Sequence, residues 1–307
     1  MKKLLKSLFV LSLLATLVAC APAETKVTGK INVYTRDATS GTREAFEGFI
    51  GYKDKMTADA IETSGNGDLA AKVGADTNGI GYVSLTTDFV ANNVVGLAYK
   101  GVEATEANAL NGTYELQRPF SLVTRAAGTF ESTDKEQLIA AFVDFIVNSV
   151  EGREVVGAAG GVVNVESGTA WATLAAKYPV LTKDNSAITL MTAGSTSVDK
   201  SLKAALEAFV PLAGNVKFQM NQTGSGDGWK RVLGSEKDGA NKADIGFASR
   251  TFKAEEPVTE AMVSGVYCID AIVAIVNKDN KTLTGIDKET LYNVYTGAVK
   301  NWEDLAK

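Results

Sequence analysis

The hydrophobic pattern of the chain alternates between two periods. Short runs of apolar and β-branched residues, typical of strands, are separated by longer segments in which apolar residues recur every three or four positions. The pattern predicts strands at 30–35, 79–84, 119–124, 187–192, 215–220, 244–248 and 271–277, and helices at 42–50, 134–149, 198–210 and 288–295. In the helix at 134–149 the spacing places one apolar face inward, made of Leu138, Ala141, Phe142, Phe145 and Ile146. This alternation of strands and helices predicts an α/β protein.

The first twenty residues have the pattern of a secretory signal. A basic start containing Lys2, Lys3 and Lys6 precedes the apolar run 8–14, which is too short to span a bilayer. The segment ends in Leu-Val-Ala-Cys at Cys20, which resembles a bacterial lipobox, where cleavage precedes the cysteine and the cysteine is lipidated. We therefore expect a lipoprotein signal peptide at 1–20, a tether at 21–29, and an extracytoplasmic protein anchored to the bacterial cell membrane through Cys20. The alternative is an ordinary secretion signal with an incidental cysteine.

Charge and length limit the class of protein. The formal net charge is −5, and removal of residues 1–20 takes away three lysines and no acid, which leaves −8. Such acidity argues against nucleic acid or an anionic membrane surface as a partner. The remaining chain, from a sequence that is 45% hydrophobic, is long enough for two domains of typical size.

Histidine and cysteine usage excludes several kinds of chemistry. The sequence has no histidine, so Ser-His and Cys-His catalysis and histidine-based metal sites are excluded. Beyond Cys20 the only other cysteine is Cys268, so the processed chain has no intrachain disulfide and no cysteine cluster for a metal. Cys268 lies in an apolar run and is predicted to be a buried strand residue. We expect neither a cofactor nor a metal.

Four turns rich in Ser, Thr and Gly follow predicted strands, at 34–42, 191–197, 221–228 and 244–250. The first three lead into helical segments, whose N-termini carry unpaired amides and about half a positive charge each. Glycine lets the backbone approach a ligand closely, and hydroxyl groups donate or accept hydrogen bonds. Any one turn alone is most simply an N-cap. Four together favour a shared anionic ligand, and one of them contains an arginine.

Other motifs receive simpler interpretations. Residues 65–70 fit the dinucleotide fingerprint loosely, but no predicted strand precedes them, so a glycine turn is expected. The Ser-x-x-Lys at 197–200 is interpreted as the first turn of a helix, because its companion motifs are missing. Asp37 is expected to hold Arg36 by a salt bridge, and Arg43 is expected to be a solvated helix residue.

Several segments together resemble the phosphate-binding-protein family of the Pst ABC importer. They are 36–42, 79–83, 142–152, 193–197 with Ala-Gly-Ser-Thr-Ser, 223–226 with Thr-Gly-Ser-Gly, 244–250, and 295–302 ending in Asn-Trp. The resemblance covers most of the chain after the signal. It implies a type II periplasmic-binding-protein fold, in which two α/β lobes close like a Venus flytrap about a hinge on one phosphate. It also implies a non-enzymatic, monomeric protein whose partners are inorganic phosphate and the membrane permease of the importer.

The resemblance also implies a set of phosphate-binding residues, and Arg36 is the only full positive charge among them. The implied residues are Arg36, Ser40, Gly41, Thr42, Thr196, Ser197, Ser225 and Ser249. One departure concerns Ser249, since many members of the family have an aspartate there that accepts the proton of monohydrogen phosphate. A hydroxyl also accepts a hydrogen bond, but it rejects sulfate less strongly than a carboxylate does.

The order of these motifs departs from the usual family order, in which the Ala-Gly-Ser-Thr-Ser segment comes first. This indicates a circular permutation, with one continuous lobe at 116–269 and a second lobe formed by 30–115 and 270–307. The crossings near 117–119 and 268–270 are expected to form the hinge, and Ile31 is expected to lie close to Leu305. The alternative is a fragment of a tandem duplication. The single copy of each motif argues against it.

Three other functions remain open at this point. The same fold could bind another oxyanion, such as sulfate or molybdate. An enzyme of the phosphatase type would need an activated nucleophile, which the sequence does not indicate. A lipoprotein that has lost its ligand would be expected to lack Arg36 or the Ser-Gly-Thr turn, and both are present.

Overall fold

A computed structural model describes residues 26–305, which form an α/β protein built on a nine-stranded sheet. The strands are β1 (Asn32–Arg36), β2 (Ile61–Thr63), β3 (Gly79–Ser84), β4 (Val94–Gly96), β5 (Ala98–Tyr99), β6 (Gln117–Thr124), β7 (Thr189–Gly194), β8 (Lys217–Gln222), β9 (Ile245–Ala248), β10 (Ser264–Asn277) and β11 (Gly285–Ile286). The helices are α1 (Gly41–Ile50), α2 (Asn66–Gly74), α3 (Glu106–Leu110), α4 (Thr133–Asn148), α5 (Val150–Ala158), α6 (Trp171–Ala175), α7 (Asp199–Phe209), α8 (Ser225–Lys230) and α9 (Lys288–Tyr295). Within this range no helix is both long and apolar enough to cross a membrane.

The large sheet has the strand order β2-β1-β3-β10-β6-β9-β7-β8, and β4 pairs with β10. The strands at each end of this order pair in parallel, whereas β10 and β6 lie antiparallel to each other in the middle. One end of β10 pairs with β6 and the other end pairs with β3 and β4. A single long strand therefore connects the two groups of parallel strands.

The buried apolar residues form two large clusters. The first contains residues between Phe120 and Cys268, including the whole predicted face of α4. The second contains residues between Ile31 and Leu116 together with residues from Ala271 to Trp302, plus Val162. The predicted burial of Cys268 in a strand is confirmed, because it lies in β10 and is 4% exposed. The boundaries of the two lobes, at 30–115 with 270–307 and at 116–269, stay a prediction.

The two ends of the described chain meet in the second cluster. The amide of Ile31 donates to the carbonyl of Lys300 at 2.7 Å, and the amide of Trp302 donates to the carbonyl of Gly29 at 3.0 Å. Ile31 belongs to the second apolar cluster and Leu305 packs against it. The expected proximity of these segments is confirmed, while the circular permutation itself stays a prediction.

The predicted α/β class is confirmed, and most predicted elements occur within two residues of their expected bounds. β10 begins seven residues before the predicted 271, because the apolar run around Cys268 belongs to the same strand and only the first three residues, 264–266, are exposed. The glycine turn predicted at 65–70 is wrong, since residues 66–74 form α2. Leu69, Ala70 and Val73 form the buried inner face of this nine-residue helix, at the three- and four-residue spacing of a helical period.

Candidate functional site

The first turn of the candidate site joins β1 to α1. β1 ends at Arg36, and α1 begins at Gly41 with Ser40 as its N-cap. The Ser40 hydroxyl accepts a hydrogen bond from the amide of Arg43 at 3.3 Å. Thr42, in the first helical turn, is fully buried. The local N-cap thus fixes the direction in which the first amides of α1 point.

The second turn follows β7. The Ser195 hydroxyl accepts from the amide of Ser197 at 3.1 Å, and a short 3-10 turn over Thr196–Val198 leads into α7. Gly194 has φ +122°, and a Cβ placed there would overlap the carbonyl oxygen of Phe247. The glycine therefore lets β7 lie close enough to β9 for the second turn to reach the fourth.

The third and fourth turns meet through hydroxyl groups. α8 begins at Ser225, and Ser249 follows the end of β9. The Ser249 amide donates to Ser225 Oγ at 3.0 Å, and the two Oγ atoms lie 3.1 Å apart. Ser195 Oγ donates to Ser249 Oγ at 2.9 Å, which adds the second turn to this group.

The first turn lies directly against the other three. Thr42 Oγ1 is 2.8 Å from Ser197 Oγ. A Cβ placed on Gly41 would overlap Ser225 Oγ and lie 2.9 Å from Ser249 Oγ. Thr42, Ser197, Ser225 and Ser249 are each at most 2% exposed. All four predicted turns therefore converge in one buried polar cluster.

Arg36 places a buried positive charge beside this cluster. Its side chain is 1% exposed and forms an ion pair with Asp37 at 3.0 Å, as expected from the sequence. It also donates to Asn66 Oδ1 at 3.2 Å and to the Ser64 carbonyl at 3.3 Å. Its Nε has no hydrogen-bond partner although it is buried. An unpaired buried donor is costly, so this atom is suited to an anionic ligand.

Thr196 and Arg43 differ from the other predicted residues in their surroundings. Thr196 is half-buried, and its side chain lies 3.9 Å from the position that a Cβ on Gly65 would occupy. The expectation that Arg43 is solvated is wrong. Arg43 pairs with Glu47 at 2.7 Å and donates to the Arg36 carbonyl at 2.9 Å, so it braces the end of β1.

Asn66 was missed by sequence reasoning, which treated its segment as a turn. Asn66 Nδ2 donates to Ser197 Oγ at 2.9 Å, while its Oδ1 accepts from Arg36. It therefore connects the predicted arginine to the predicted serine. The apolar spacing of Leu69, Ala70 and Val73 was the signal that could have revealed a helix beginning at this residue.

Arg118 and Asp270 were also missed as site residues, although both lie in the predicted hinge. They face each other in the register of β6 and β10 and form a buried ion pair at 2.8 Å. Arg118 Nη2 also donates to Ser197 Oγ at 3.0 Å. Burial lowers the pKa of Arg118, Asp270 opposes that shift, and the charge of Arg36 adds to it. Burial raises the pKa of Asp270 against the opposing effect of Arg118.

The cluster presents hydrogen-bond donors and positive charge. Within residues 26–305 no group of three or more acidic, histidine or cysteine side chains is arranged to hold a metal ion. The donors are hydroxyls, guanidinium groups and amides at the starts of helices. Such an arrangement is suited to binding an oxyanion.

The chain is similar in sequence to a family model and to phosphate-binding proteins of bacteria. Residues 169–307 match the family model of the PBP superfamily domain. The chain is 29% identical over 288 residues to the phosphate-binding protein PstS 2 of Streptococcus agalactiae serotype V, covering 91% of this chain and 89% of that protein. It is 29% identical over 303 residues to the phosphate-binding protein PstS 2 of Streptococcus pneumoniae serotype 4, covering 94% of each.

A solved structure has the same fold. It is the crystal structure of a phosphate-binding protein of a phosphate ABC transporter from Streptococcus pneumoniae. The match has a TM-score of 0.63 at 26% identity, over 90% of this chain and 100% of the other. This likeness confirms the predicted fold of the periplasmic-binding-protein type.

Proposed function

From its place among the PstS-like proteins of the periplasmic-binding-protein superfamily, we propose that this chain is the phosphate-binding component of a phosphate ABC importer. It binds inorganic phosphate without chemical change and delivers it to the membrane permease. The relatives described above are named as phosphate-binding proteins, not as phosphatases, and the match covers nearly their whole length.

The convergence of the four turns is the observation that supports this proposal. Hydroxyls from residues 155 positions apart, Thr42 and Ser197, lie 2.8 Å from each other. The fully buried Arg36 beside them has an unpaired Nε. The proposed ligands are the eight residues expected from the sequence, namely Arg36, Ser40, Gly41, Thr42, Thr196, Ser197, Ser225 and Ser249. Arg36 supplies a full charge, and the start of α1 adds part of another.

The proposed location is the outer face of the bacterial membrane, with a lipid anchor on Cys20. Cys20 lies outside the described residues, so this part of the proposal depends on the lipobox-like sequence alone. A tethered binding protein would remain close to its permease. Several acyl chains anchor a protein firmly, whereas one holds it weakly.

Sulfate is the second candidate ligand, because the two nearby carboxylates already accept hydrogen bonds from other groups of the protein. Asp37 accepts from Arg36 and Thr39, and Asp270 accepts from Arg118 and Ser84. Both carboxylates are therefore occupied by partners within the protein, and Ser249 offers only a hydroxyl to the ligand. A site without a free proton acceptor discriminates less between monohydrogen phosphate and sulfate.

Calorimetric titration of the protein with phosphate, arsenate and sulfate tests the proposal. We expect phosphate to bind most tightly, with arsenate close to it because the two ions share shape and protonation. Sulfate should bind more weakly. Tighter binding of sulfate than of phosphate, or no heat with phosphate, would refute the phosphate assignment.

A further inference from the structure

Arg118 lies beside the candidate site on β6, opposite the long strand β10. It lies near the start of β6, between Leu116 of the second cluster and Phe120 of the first. Its side chain is 2% exposed, and that of Asp270 is 0% exposed. A charge is stable at this depth only with close partners.

The planar guanidinium fixes the direction in which Arg118 can donate. Its Nε and Nη2 both donate to Asp270 Oδ2, at 3.1 and 2.8 Å, so one edge of the group is occupied. The remaining Nη2 hydrogen is donated to Ser197 Oγ at 3.0 Å, along the outer edge formed by Nη1 and Nη2. Because the fork is rigid, a hydrogen on Nη1 points the same way. Nη1 is buried and has no hydrogen-bond partner.

Arg36 and Arg118 are connected through two polar side chains, Asn66 and Ser197. Arg36 donates to Asn66, which donates to Ser197, and Arg118 donates to Ser197 directly. Each arginine keeps one buried nitrogen without a hydrogen-bond partner, Nε of Arg36 and Nη1 of Arg118. Asp37 and Asp270 each offset one of these charges, and an anion between the two guanidinium groups would be attracted to both.

We propose that Arg118 is a second arginine ligand of the bound anion, with Nη1 as its donor. Asp270 holds the guanidinium in this orientation from behind. The inference rests on the proposed function, and it adds a hinge residue to a set that otherwise comes from the four turns. Because Arg118 lies between residues of the two clusters, the anion would contact the hinge as well as both sides of the site.

Paired variants test the inference by calorimetry of inorganic phosphate with the full chain. Arg118→Gln leaves Asp270 buried without its partner, so its effect mixes binding with folding. The double variant Arg118→Gln with Asp270→Asn removes both charges and leaves a neutral polar side chain at each position, shorter at 118 and of equal size at 270. We expect the double variant to unfold at a temperature close to that of the parent and to bind phosphate about a hundredfold more weakly.

Arg125→Gln is the matched control. Arg125 directly follows β6, but its side chain donates to the carbonyl of Lys237 and pairs with Asp238, neither of which belongs to the four turns. The control should bind phosphate as the parent does. If the double variant binds phosphate within threefold of the parent, Arg118 only braces the hinge and the inference is wrong.

The structure of the unmodified protein with phosphate gives a second test that needs no variant. An Nη1-to-oxygen distance of about 3 Å supports the inference, and a distance beyond about 4 Å overturns it. If the parent does not bind phosphate, the proposed function fails. If Arg36→Gln weakens binding while the double variant does not, only the role of Arg118 fails.

Discussion

Thr42 Oγ1 and Ser197 Oγ form a hydrogen bond of 2.8 Å whose direction follows from its surroundings. Ser197 Oγ already accepts from Asn66 Nδ2 and from Arg118 Nη2. A hydroxyl oxygen has two acceptor positions, so Ser197 must use its hydrogen as a donor to Thr42. Thr42 is then left with its own hydroxyl hydrogen to donate. Thr42 thus presents a free donor to an oxyanion, and Ser197 would donate to the ligand by exchanging its hydrogen bond to Thr42 for one to the ligand.

Replacement of Arg36 by glutamine should weaken phosphate binding by at least about a hundredfold, because it removes a buried charge-assisted donor. Calorimetry measures the change. Arg153→Gln serves as the control, since Arg153 donates to the carbonyls of Val147 and Asn164, far from the four turns. Parent-like affinity in the Arg36 variant would show that the site is wrongly assigned.

Two glycines of α1 give a matched pair of variants. A Cβ on Gly41 would overlap Ser225 Oγ, whereas a Cβ on Gly48 meets nothing within 4 Å. Gly41→Ala should therefore push the first turn away from Ser225 and lower phosphate affinity by more than about tenfold. Gly48→Ala should leave affinity unchanged and stabilise the helix by about 0.5–1 kcal/mol. Equal affinities for the two variants would argue against close contact between these turns in the bound state.

Glu44 forms a charged contact across the candidate site. Its carboxylate lies 2.9 Å from Nε of Arg250, the last residue of the fourth turn, and 3.0 Å from Nζ of Lys253, which follows that turn. Because Glu44 is 41% exposed, each pair contributes little, about 0–1 kcal/mol. Glu44→Gln should raise the phosphate dissociation rate about two- to fivefold, as stopped-flow measurement can show.

Salt provides the check on this contact. Added salt screens exposed charges, so the difference between the Glu44 variant and the parent should shrink at high ionic strength. Glu207→Gln removes an exposed pair with Lys203 within α7 and should leave the dissociation rate unchanged. A Glu44 variant with the parental rate at low salt would show that the contact does not hold the turns together.

Replacement of Cys20 by alanine tests the proposed anchor. Without the cysteine there is no acceptor for the lipid, so the protein should move from the membrane to the soluble or secreted fraction. Detergent-phase partitioning followed by immunoblotting measures this. Cys268→Ala, at the buried free cysteine, is the control and should stay with the membrane. Unchanged partitioning of the Cys20 variant would contradict lipidation.

The α/β class and the four turns were predictable because their signals are local. Ser40 caps α1 through the Arg43 amide only three residues away, and the pairing of Arg36 with Asp37 joins neighbours. Arg118 could not be recognised in the same way. Its position near a predicted hinge was clear, but its role depends on the register that places it opposite Asp270, 152 residues later.

The sequence by itself determined where α1 begins and that four Ser/Thr/Gly turns follow strands, since capping and backbone freedom are properties of a few consecutive residues. It also determined that Arg36 lies in one of the turns. Only the tertiary structure decided which hydroxyls meet, and that Asn66 and Arg118 both donate to Ser197. The reason is that strand order and register bring distant residues together, and buried polar groups then take whichever partners the packing places within reach.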